Sequence, residues 1–258
     1  MPASGKLQGK VAVVTGAGQG MGRAIARRFA AEGAAVALLS RSPAPLAEAV
    51  SLIESDGGKA IGIRCDVSEL DTIKPAIDEA AVRFGTVDIL VNNAHDTSQA
   101  AMTGGVEKLT IAQMEAQFRC GPIASMLAMQ AALPYLKRRG GRVINLGSGV
   151  GVHGLARFTP YAMAKEANRA LTRVAAREWA EFGITVNTIC PVADTPGARA
   201  TLESGVLDEN LAPSPFGRMG DAETDVAPLF VFIASDDARY MTGYTFMADG
   251  GGSIDTGR

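Results

Sequence analysis

The chain has 258 residues, of which 47% are hydrophobic and 20% are charged, as is typical of a globular protein with a large buried core. Its formal net charge of -2 argues against a nucleic-acid partner, because nucleic-acid-binding domains carry a clear basic excess. No apolar run approaches the roughly 20 residues that a membrane-spanning helix needs, which argues against a membrane protein. No linker rich in Pro, Ser or Gly divides the sequence, so residues 1–258 are predicted to form a single domain.

The few cysteines and histidines argue against a metal site and against secretion. Cys65, Cys120 and Cys190 are odd in number and far apart in sequence, which favours reduced, buried thiols over disulfides. The two histidines are His95 and His153, and no Cys/His/Asp group has the spacing of metal ligands, so no metal is predicted. The N-terminal segment shows no apolar signal followed by a cleavage site, so a cytoplasmic location is expected.

Short β-rich apolar runs alternate with longer amphipathic stretches along the chain. Strands are predicted at 10–15, 34–40, 59–65, 87–93, 141–147, 183–189 and 243–249. Helices are predicted at 20–32, 43–56, 69–84, 107–138 and 158–182. Strands that alternate with helices pair in parallel and are covered on both faces. The sequence therefore predicts a doubly wound parallel α/β sheet, whose ligands bind beyond the carboxyl ends of the strands.

A glycine-rich segment, TGAGQGMG at 15–22, joins the first predicted strand to the first helix. Glycine in such a turn permits a tight bend and the close approach of a pyrophosphate to the helix N-terminus. The spacing G-x-x-x-G-x-G differs from the commoner G-x-G-x-x-G fingerprint. The alternative to a dinucleotide-binding turn is a glycine turn that serves packing alone. The segment predicts a dinucleotide site that includes Gly16, Gly18, Gln19, Gly20, Met21 and Gly22.

The end of the second predicted strand bears on the choice between NADP(H) and NAD(H). An NAD site usually has an acidic residue about 20 residues beyond the glycines, where it holds the ribose hydroxyls. Here Ser40 and Arg41 occupy that place, and a hydroxyl with a guanidinium suits a 2′-phosphate instead. NADP(H) is therefore the preferred cofactor, with NAD(H) as the alternative. Asp66 and Val67, which end the third strand, are candidates for the adenine contact, although capping of the next helix is the alternative for Asp66.

The segment YAMAK at 161–165 places a phenol and an ammonium four residues apart on a predicted helix, and hence on one face. A free tyrosine has a pKa of about 10, and the Lys165 ammonium together with an oxidised nicotinamide is expected to lower the pKa of Tyr161. Tyr161 is then suited to exchange a proton with a carbonyl oxygen. Ser148, at the end of the fifth strand, is expected to hydrogen-bond the same oxygen. Tyr-x-x-x-Lys alone is frequent by chance, but its combination with Ser148 and the glycine segment predicts three catalytic residues.

In these motifs the chain resembles the short-chain dehydrogenase/reductase family, in its subgroup of about this length. The matching segments span essentially the whole sequence: TGxxxGxG at 15–22, NNA at 92–94, Ser148 with YxxxK at 161–165, VNTICP at 186–191, DTP at 194–196 and ADGG at 248–251. The resemblance implies a Rossmann fold in which Tyr161 is the general acid/base, Lys165 binds the nicotinamide ribose and Ser148 positions the carbonyl. It also implies cofactor contacts from Asn92, Asn93, Ala94, Tyr161, Lys165, Pro191 and Thr195. The segment after DTP, within 195–216, is expected to form a mobile substrate lid.

Three positions near the chemistry depart from that family pattern. Gly121 stands where the family usually has an asparagine that supports a water chain to the lysine, and residues 111–127 contain no asparagine. His95 and Val192 each stand where the family usually has glycine. These two and His153 are candidate substrate contacts, while an ordinary loop position is the alternative for both histidines. The proline after Gly121 is expected to distort the helix, and Gly121→Asn is expected to raise turnover.

The predicted function is hydride transfer between NADP(H) and the ketone or secondary alcohol of an uncharged, largely apolar substrate, since the lid segment has few basic residues. A steroid-like or cyclic ketone, a hydroxylated aromatic side chain and a 3-oxoacyl thioester are all candidates. The alternative is a protein that binds the cofactor with weak or no catalysis, because Gly121 replaces the asparagine. By resemblance, the apolar segment 223–251 implies a homotetramer or homodimer, and a monomer whose sheet this segment covers is the alternative.

Overall fold

The computed structural model describes residues 5–205 and 214–253. Its sheet consists of β1 (Val11–Thr15), β2 (Ala35–Ser40), β3 (Lys59–Arg64), β4 (Ile89–Asn92), β5 (Arg142–Leu146), β6 (Thr185–Pro191) and β7 (Thr245–Ala248). Neighbouring strands pair in parallel, in the order β3-β2-β1-β4-β5-β6-β7. The order reverses between β1 and β4, where a sheet of this kind opens a crevice for ligands. The predicted doubly wound α/β class, a Rossmann fold, is confirmed.

Helices cover both faces of the sheet. The described residues form α1 (Gly20–Ala31), α2 (Pro43–Ser55), α3 (Ile73–Phe84), α4 (Gln99–Met102), α5 (Ile111–Phe118), α6 (Ala124–Leu136), α7 (Gly149–His153), α8 (Thr159–Glu178), α9 (Pro196–Glu203) and α10 (Ala227–Ala234). Successive strand residues point to opposite faces, so Val13 packs with α3, α6 and α8, whereas Val14 packs with α1, α2 and α10. Within the described part of the chain, no helix combines the length and the apolar character that crossing a bilayer requires.

The predicted helix 107–138 is divided in two. α5 follows Thr110, whose side chain accepts the Gln113 N–H in a capping box. A wider π-helical turn over Arg119–Ile123 then separates α5 from α6. Pro122 lies within this turn and has no N–H to donate, so the regular hydrogen-bond pattern of the α-helix stops there. The single helix predicted from the sequence is therefore corrected to two helices joined by a distorted turn.

Asp88 ties the first strand to the chain segment that follows α6. Its side chain is 6% exposed and accepts a hydrogen bond from the Val11 N–H at 2.9 Å. The same carboxylate accepts two hydrogen bonds from Arg139, at 2.8 and 3.0 Å. A buried carboxylate of this kind is stable because its oxygens are satisfied by charged and backbone donors.

Asp88→Ala is expected to lower the free energy of unfolding by about 2 kcal/mol, because the buried Val11 N–H loses its acceptor. Loss of the ion pair itself adds little, since the Arg139 side chain is 58% exposed. Urea unfolding followed by circular dichroism measures the change. The control is Glu79→Ala, which removes an exposed pair with Arg83 and should cost less than about 0.5 kcal/mol. Equal losses for the two variants would contradict the role assigned to Asp88.

Candidate active site

A cleft of about 750 Å³ lies at the carboxyl ends of the strands. It contains most of the residues that the sequence analysis selected, namely Gly16, Gly18, Gln19, Gly20, Met21, Gly22, Ser40, Arg41, Asp66, Val67, Asn93, Ala94, His95, Ser148, Tyr161, Lys165, Pro191 and Thr195. These residues are far apart in sequence, and they meet because the ends of parallel strands converge at one edge of the sheet. The lining also includes residues that the sequence analysis did not select, among them Asp96, Thr97, Arg119 and Cys120.

The glycine segment leaves its backbone open to a ligand. Gly16 and Gly20 have φ angles of 66° and 53°, a region that favours glycine. A Cβ on Gly22 would lie 2.3 Å from the Gly16 carbonyl oxygen, and one on Gly18 would lie 2.8 Å from Ser40 Oγ. The first turn of α1 contains no acidic side chain, and its free N–H groups suit a pyrophosphate. These features fit a nicotinamide dinucleotide.

Thr15 and Asn93 connect the ends of β1 and β4. Thr15 Oγ1 accepts the N–H groups of Asn93 and Ala94, both at 3.0 Å, and Asn93 Nδ2 donates to the Thr15 carbonyl oxygen at 2.8 Å. Asn92, which the resemblance implied along the cofactor, instead donates from Nδ2 to Asn145 Oδ1 in the core, at 2.8 Å. Asn92 is therefore corrected from a cofactor contact to a buried structural residue, because adjacent strand residues point to opposite faces.

Arg23 is a positioning residue that the sequence analysis missed. Its Nε and Nη2 donate to the Gly18 carbonyl oxygen at 2.9 and 2.6 Å, and its guanidinium pairs with Glu48 at 2.9 Å. Arg23 thus fixes the glycine segment against α2. The only sequence signal was a basic residue in the first turns of a helix, which on its own indicates a solvated surface.

Ser40, Arg41 and Asp66 line the end of the cleft beside the glycine segment. Partial burial acts to raise the pKa of Asp66, but hydrogen bonds from Ser68 and the charges of two nearby arginines hold that pKa below its usual range. Asp66 is therefore a carboxylate at neutral pH. It does not cap α3, whose preceding residue is Thr72, so the capping alternative for Asp66 is wrong.

Ser148, Tyr161 and Lys165 meet in the middle of the cleft. Ser148 precedes α7 as its N-cap, and its hydroxyl lies close enough to the Tyr161 phenol to favour the phenolate. One turn along α8, Lys165 Nζ lies 5.4 Å from the centre of the Tyr161 ring and donates to the Leu146 carbonyl oxygen at 3.1 Å. Lys165 is 4% exposed. The strand end and the i,i+4 spacing on the helix therefore bring together the three groups predicted to be catalytic.

Burial dominates the acid–base balance of the ligand-free site. It raises the pKa of Tyr161 to about 12 and lowers the pKa of Lys165 to about 8, because both charged forms lose solvation. The hydrogen bond from Ser148 favours the phenolate but does not overcome burial. The expectation that the Lys165 ammonium lowers the pKa of Tyr161 is therefore not met in the ligand-free chain. At neutral pH the phenol is protonated and can donate.

His95 is enclosed in the site, so the alternative of an ordinary loop position is wrong for this histidine. Its Nε2 lies 2.6 Å from Gln117 Oε1, and its ring packs edge-on against Tyr161 with 5.2 Å between the centroids. A Cβ on Gly121 would lie 2.7 Å from His95 Cε1. The effect of Gly121→Asn on turnover stays a prediction, and the new side chain would require the ring of His95 to shift.

Two other candidate substrate contacts do not line the cleft within the described residues. His153 is exposed at the end of α7, and its Nε2 lies 2.7 Å from Ser253 Oγ. Val192 extends the pairing of β6 with β7, and its N–H donates to the Ala248 carbonyl oxygen at 2.9 Å. Closeness in sequence to Ser148 and to Pro191 did not bring these side chains to the cleft, because neighbours in a short helix or strand face different directions.

Thr195 begins the segment predicted to be the lid. Its side chain accepts the Ala198 N–H at 3.2 Å as the N-cap of α9, and Thr195 and the two residues after it line the cleft. Residues 206–213 of the predicted lid 195–216 lie outside the described residues. Closure of this segment over a substrate stays a prediction.

The described residues contain no group of three or more His, Cys, Asp or Glu side chains arranged to hold a metal ion. All three cysteines are buried and free of disulfides. Burial raises the pKa of Cys190 to about 11, so this thiol is protonated at neutral pH.

Comparison with known proteins finds relatives over nearly the whole chain. A family model described as "Enoyl-(Acyl carrier protein) reductase" matches residues 16–253. The chain is 36% identical over 261 residues to 12alpha-hydroxysteroid dehydrogenase of Clostridium sp., covering 96% of this chain and 98% of that protein. It is also 36% identical over 248 residues to the 3-oxoacyl-(acyl-carrier-protein) reductase FabG of Staphylococcus epidermidis, covering 94% of this chain and 98% of that protein.

A solved structure shares the same architecture. The crystal structure of a short chain dehydrogenase from Burkholderia cenocepacia J2315 in complex with NADP superposes with a TM-score of 0.85 at 33% identity, covering 96% of this chain and 100% of that chain. The two sequence relatives and the solved structure each cover nearly all of this chain at 33% to 36% identity, so the sequence comparison and the structure comparison place this chain in the same family.

Proposed function

Because this chain belongs to the short-chain dehydrogenase/reductase family, and is thus an oxidoreductase that uses a nicotinamide cofactor, we propose that it reduces the ketone of an uncharged, largely apolar substrate with NADPH. The reverse reaction oxidises the corresponding secondary alcohol. The observation that carries the proposal is that Ser148, Tyr161 and Lys165 line the same cleft as the glycine segment. The bound cofactor supplies the hydride, and the protein has to supply the proton.

Tyr161 donates that proton. Burial raises its pKa to about 12, so the phenol carries its proton at neutral pH until a carbonyl oxygen gains negative charge beside it. Ser148, whose hydroxyl lies beside the phenol, can donate to the same oxygen and stabilise the developing charge. The Lys165 ammonium stabilises the phenolate that remains, because it lies 5.4 Å from the ring centre in a site of low polarity.

The charges that line the cleft support an uncharged substrate. Besides Lys165, the cations of the described lining are Arg41 and Arg119. Arg41 acts on Asp66 at the far end of the cleft, and Arg119 Nε donates to the Ser68 carbonyl oxygen at 2.7 Å. Apart from Lys165, which the proposed mechanism already uses beside the phenol, an anionic substrate group would therefore find no free counter-ion near the phenol, which makes its burial costly.

Fluorescence titration with NADPH, followed by turnover assays over a ketone panel, tests the proposed function. The panel contains a steroid-like cyclic ketone, an aryl ketone and a 3-oxoacyl thioester, since the first and third correspond to the names of the two relatives above. NADPH oxidation with at least one class supports the proposal, and the ranking of kcat/KM values identifies the substrate class. Tight NADPH binding with no turnover on any panel member would instead support a protein that binds the cofactor without catalysis.

The preference for NADP(H) is proposed from Arg41. This side chain is exposed and lines the cleft, where it can pair with a 2′-phosphate. Arg41→Ala is expected to raise the KM for NADPH about tenfold, as the loss of one charge-assisted hydrogen bond implies, and to leave the KM for NADH within about twofold. Arg64→Ala is the matched control, because Arg64 also acts on Asp66 but does not line the cleft. An equal rise in KM for both cofactors would contradict the preference.

A homotetramer is proposed from the far edge of the sheet. β7 pairs with β6 alone among the described strands, and its four residues are partly exposed. Nearby, Tyr240 and Tyr244 are 98% and 59% exposed. An unpaired edge strand beside exposed aromatic side chains suits a two-fold contact between copies. Light scattering distinguishes a tetramer from the 26.7 kDa single chain, and the mass of one chain would overturn this proposal.

A further inference from the structure

A second cavity lies at the end of the sheet opposite the active-site cleft. Its volume is about 720 Å³, and it lies where β5 begins and just before the start of β6. The cleft lies beyond the carboxyl ends of the same strands, so the two cavities are separate. None of the nine residues that line the second cavity is acidic, and five are cations, namely Lys137, Arg138, Arg139, Arg142 and Arg239. This positive charge is local, because the whole chain has a formal net charge of -2.

Two of the five cations are neutralised by carboxylates and belong to the wall of the cavity. The Arg142 side chain is 10% exposed. Its Nη2 donates to Asp236 Oδ1 at 3.2 Å, and its Nη1 donates to the Gly141 carbonyl oxygen at 3.1 Å. Arg139 Nη2 donates to Asp88 Oδ1 at 2.8 Å. Because a carboxylate compensates each of these two charges, neither cation requires a ligand.

The other three cations have no carboxylate partner. Lys137 Nζ lies 3.7 Å from the centre of the Phe182 ring, and the guanidinium carbon of Arg138 lies 5.3 Å from the centre of the Tyr135 ring. Arg239 Nη1 donates to a backbone carbonyl oxygen at 3.3 Å. Over residues 5–205 and 214–253, no carboxylate oxygen lies within 4.0 Å of these three side chains. Aromatic rings attract a cation without neutralising it, so three positive charges stay uncompensated.

The end of α6 explains only part of this cluster. Lys137 and Arg138 follow Leu136, the last residue of α6, and a helix C-terminus attracts cations. Side chains held by that helix end would donate to its last carbonyl groups. Among the described residues neither side chain does so, and both lie over aromatic rings instead. Arg239 comes from a different segment, beyond α10, so the dipole of α6 does not account for its position at the same cavity.

We propose that this cavity is a second ligand site, which binds the phosphate chain of a small phosphorylated molecule on Lys137, Arg138 and Arg239. A planar guanidinium group matches two phosphate oxygens with parallel hydrogen bonds, and the ammonium adds a third charge. A di- or triphosphate concentrates its negative charges on adjacent groups, which suits cations that converge on one cavity. An acidic peptide instead spreads its carboxylates along an extended backbone. The volume falls within the range of small-molecule sites.

Calorimetric titration in magnesium-free buffer tests the site with tripolyphosphate, ATP and a triglutamate peptide. We expect tripolyphosphate and ATP to bind with Kd values below about 1 mM at about 0.15 M salt. Their affinity should fall at least about fivefold at about 0.5 M salt, because ions screen exposed charges. Equal affinities would show recognition of the phosphate chain alone, and tighter binding of ATP would show that a nucleoside adds contacts. No binding of either phosphate compound, or tighter binding of the peptide, would overturn the proposal.

Alanine variants locate the bound phosphate chain. Arg138→Ala and Arg239→Ala are each expected to weaken tripolyphosphate binding about tenfold, as the loss of a charge-assisted hydrogen bond implies. Both side chains are exposed, so the fold should persist, and thermal unfolding checks this. Lys108→Ala is the matched control, because Lys108 is an exposed cation outside the cavity lining. Gly22→Ala, which alters the cleft, should also bind tripolyphosphate like the parent. Parent affinity in both cavity variants, or an equal loss in Lys108→Ala, would contradict the site.

The phosphate site and the proposed function can fail separately, because tripolyphosphate carries no nicotinamide and its binding is measured without turnover. A protein that turns over no ketone but binds tripolyphosphate through Arg138 and Arg239 would contradict the proposed function alone. A protein that reduces a ketone with NADPH but binds no tripolyphosphate would contradict the second site alone.

Discussion

Tyr161→Phe is expected to lower kcat for ketone reduction by a factor of about 10²–10⁴, which is the range that a positioned general acid contributes. The substitution removes one oxygen atom and keeps the ring, so the edge-on contact with His95 at 5.2 Å should persist. NADPH affinity, measured by fluorescence titration, should stay within about threefold of the parent value, because the lost interaction is made in the transition state. Tyr135→Phe is the matched control, since its hydroxyl donates to Asp78 at 2.8 Å outside the cleft lining.

The role of Tyr161 also predicts how the rates of oxidation and reduction change with pH. Oxidation needs the phenolate, and burial holds the pKa of the ligand-free phenol at about 12, so the reactive fraction rises about tenfold for each pH unit below that pKa. Reduction needs the phenol, which is protonated throughout pH 6 to 8, and the Lys165 ammonium, whose pKa burial lowers to about 8. Its rate should therefore be flat near pH 6 and fall as the pH approaches and passes 8. A bound oxidised nicotinamide is expected to lower the oxidation midpoint, because a nearby positive charge favours the phenolate.

Two outcomes would remove Tyr161 from the chemistry. One is a Tyr161→Phe variant that keeps parent kcat on the substrate selected by the ketone panel. The other is an oxidation rate that does not change with pH between 6 and 9, because ionisation of the phenol would then not control the reaction. Tyr135→Phe should match the parent in both measurements, so a loss shared by the two variants would indicate damage to the fold.

Gly22→Ala is expected to weaken NADPH binding by at least about 30-fold, which corresponds to about 2 kcal/mol. The added Cβ would lie 2.3 Å from the Gly16 carbonyl oxygen and 2.6 Å from Asn93 Nδ2. Relief of these contacts requires the glycine segment to move, and Asn93 Nδ2 then loses its 2.8 Å hydrogen bond to the Thr15 carbonyl oxygen. The backbone that faces the pyrophosphate is thus displaced, and affinity falls more than overall stability.

Fluorescence titration and thermal unfolding, measured together, test this second prediction. Gly104→Ala is the control, because its added Cβ would meet only side-chain ends, Leu109 Cδ1 at 3.3 Å and Gln113 Nε2 at 3.7 Å. That variant should bind NADPH like the parent. Unchanged NADPH affinity in Gly22→Ala would show that the glycine segment serves packing alone, which is the alternative that the sequence left open.

Features encoded in short stretches of sequence were predictable. The alternation of apolar strands with amphipathic helices specified the parallel sheet, because each pattern reflects which side chains face the core. The glycines at 16, 20 and 22 and the spacing of Tyr161 from Lys165 specified the site for a similar reason. A turn after a strand and two residues four apart on a helix have nearly the same geometry in every protein.

Other features depended on contacts between distant segments. Asn92 is the last residue of β4, a strand that ends at the site, yet its side chain hydrogen-bonds Asn145 in the core at 2.8 Å. Arg23 supports the glycine segment through Gly18, and its partner Glu48 is on another helix. The pKa of Tyr161 is raised by burial to about 12, although its sequence neighbour four residues later is a cation. Burial depends on what the whole fold packs around a group, and local spacing does not reveal it.

By itself, the sequence determined the class of fold, and it predicted the place of the dinucleotide and the roles of the serine, tyrosine and lysine, because local periodicity and spacing suffice for each. Only the tertiary structure decided that His95 and Gly121 are in contact. These residues are on separate segments and come within contact distance where β4 ends beside the distorted turn between α5 and α6. The His95 imidazole fits beside Gly121 because glycine has no Cβ. The spacing of residues along the chain does not reveal such a three-dimensional fit.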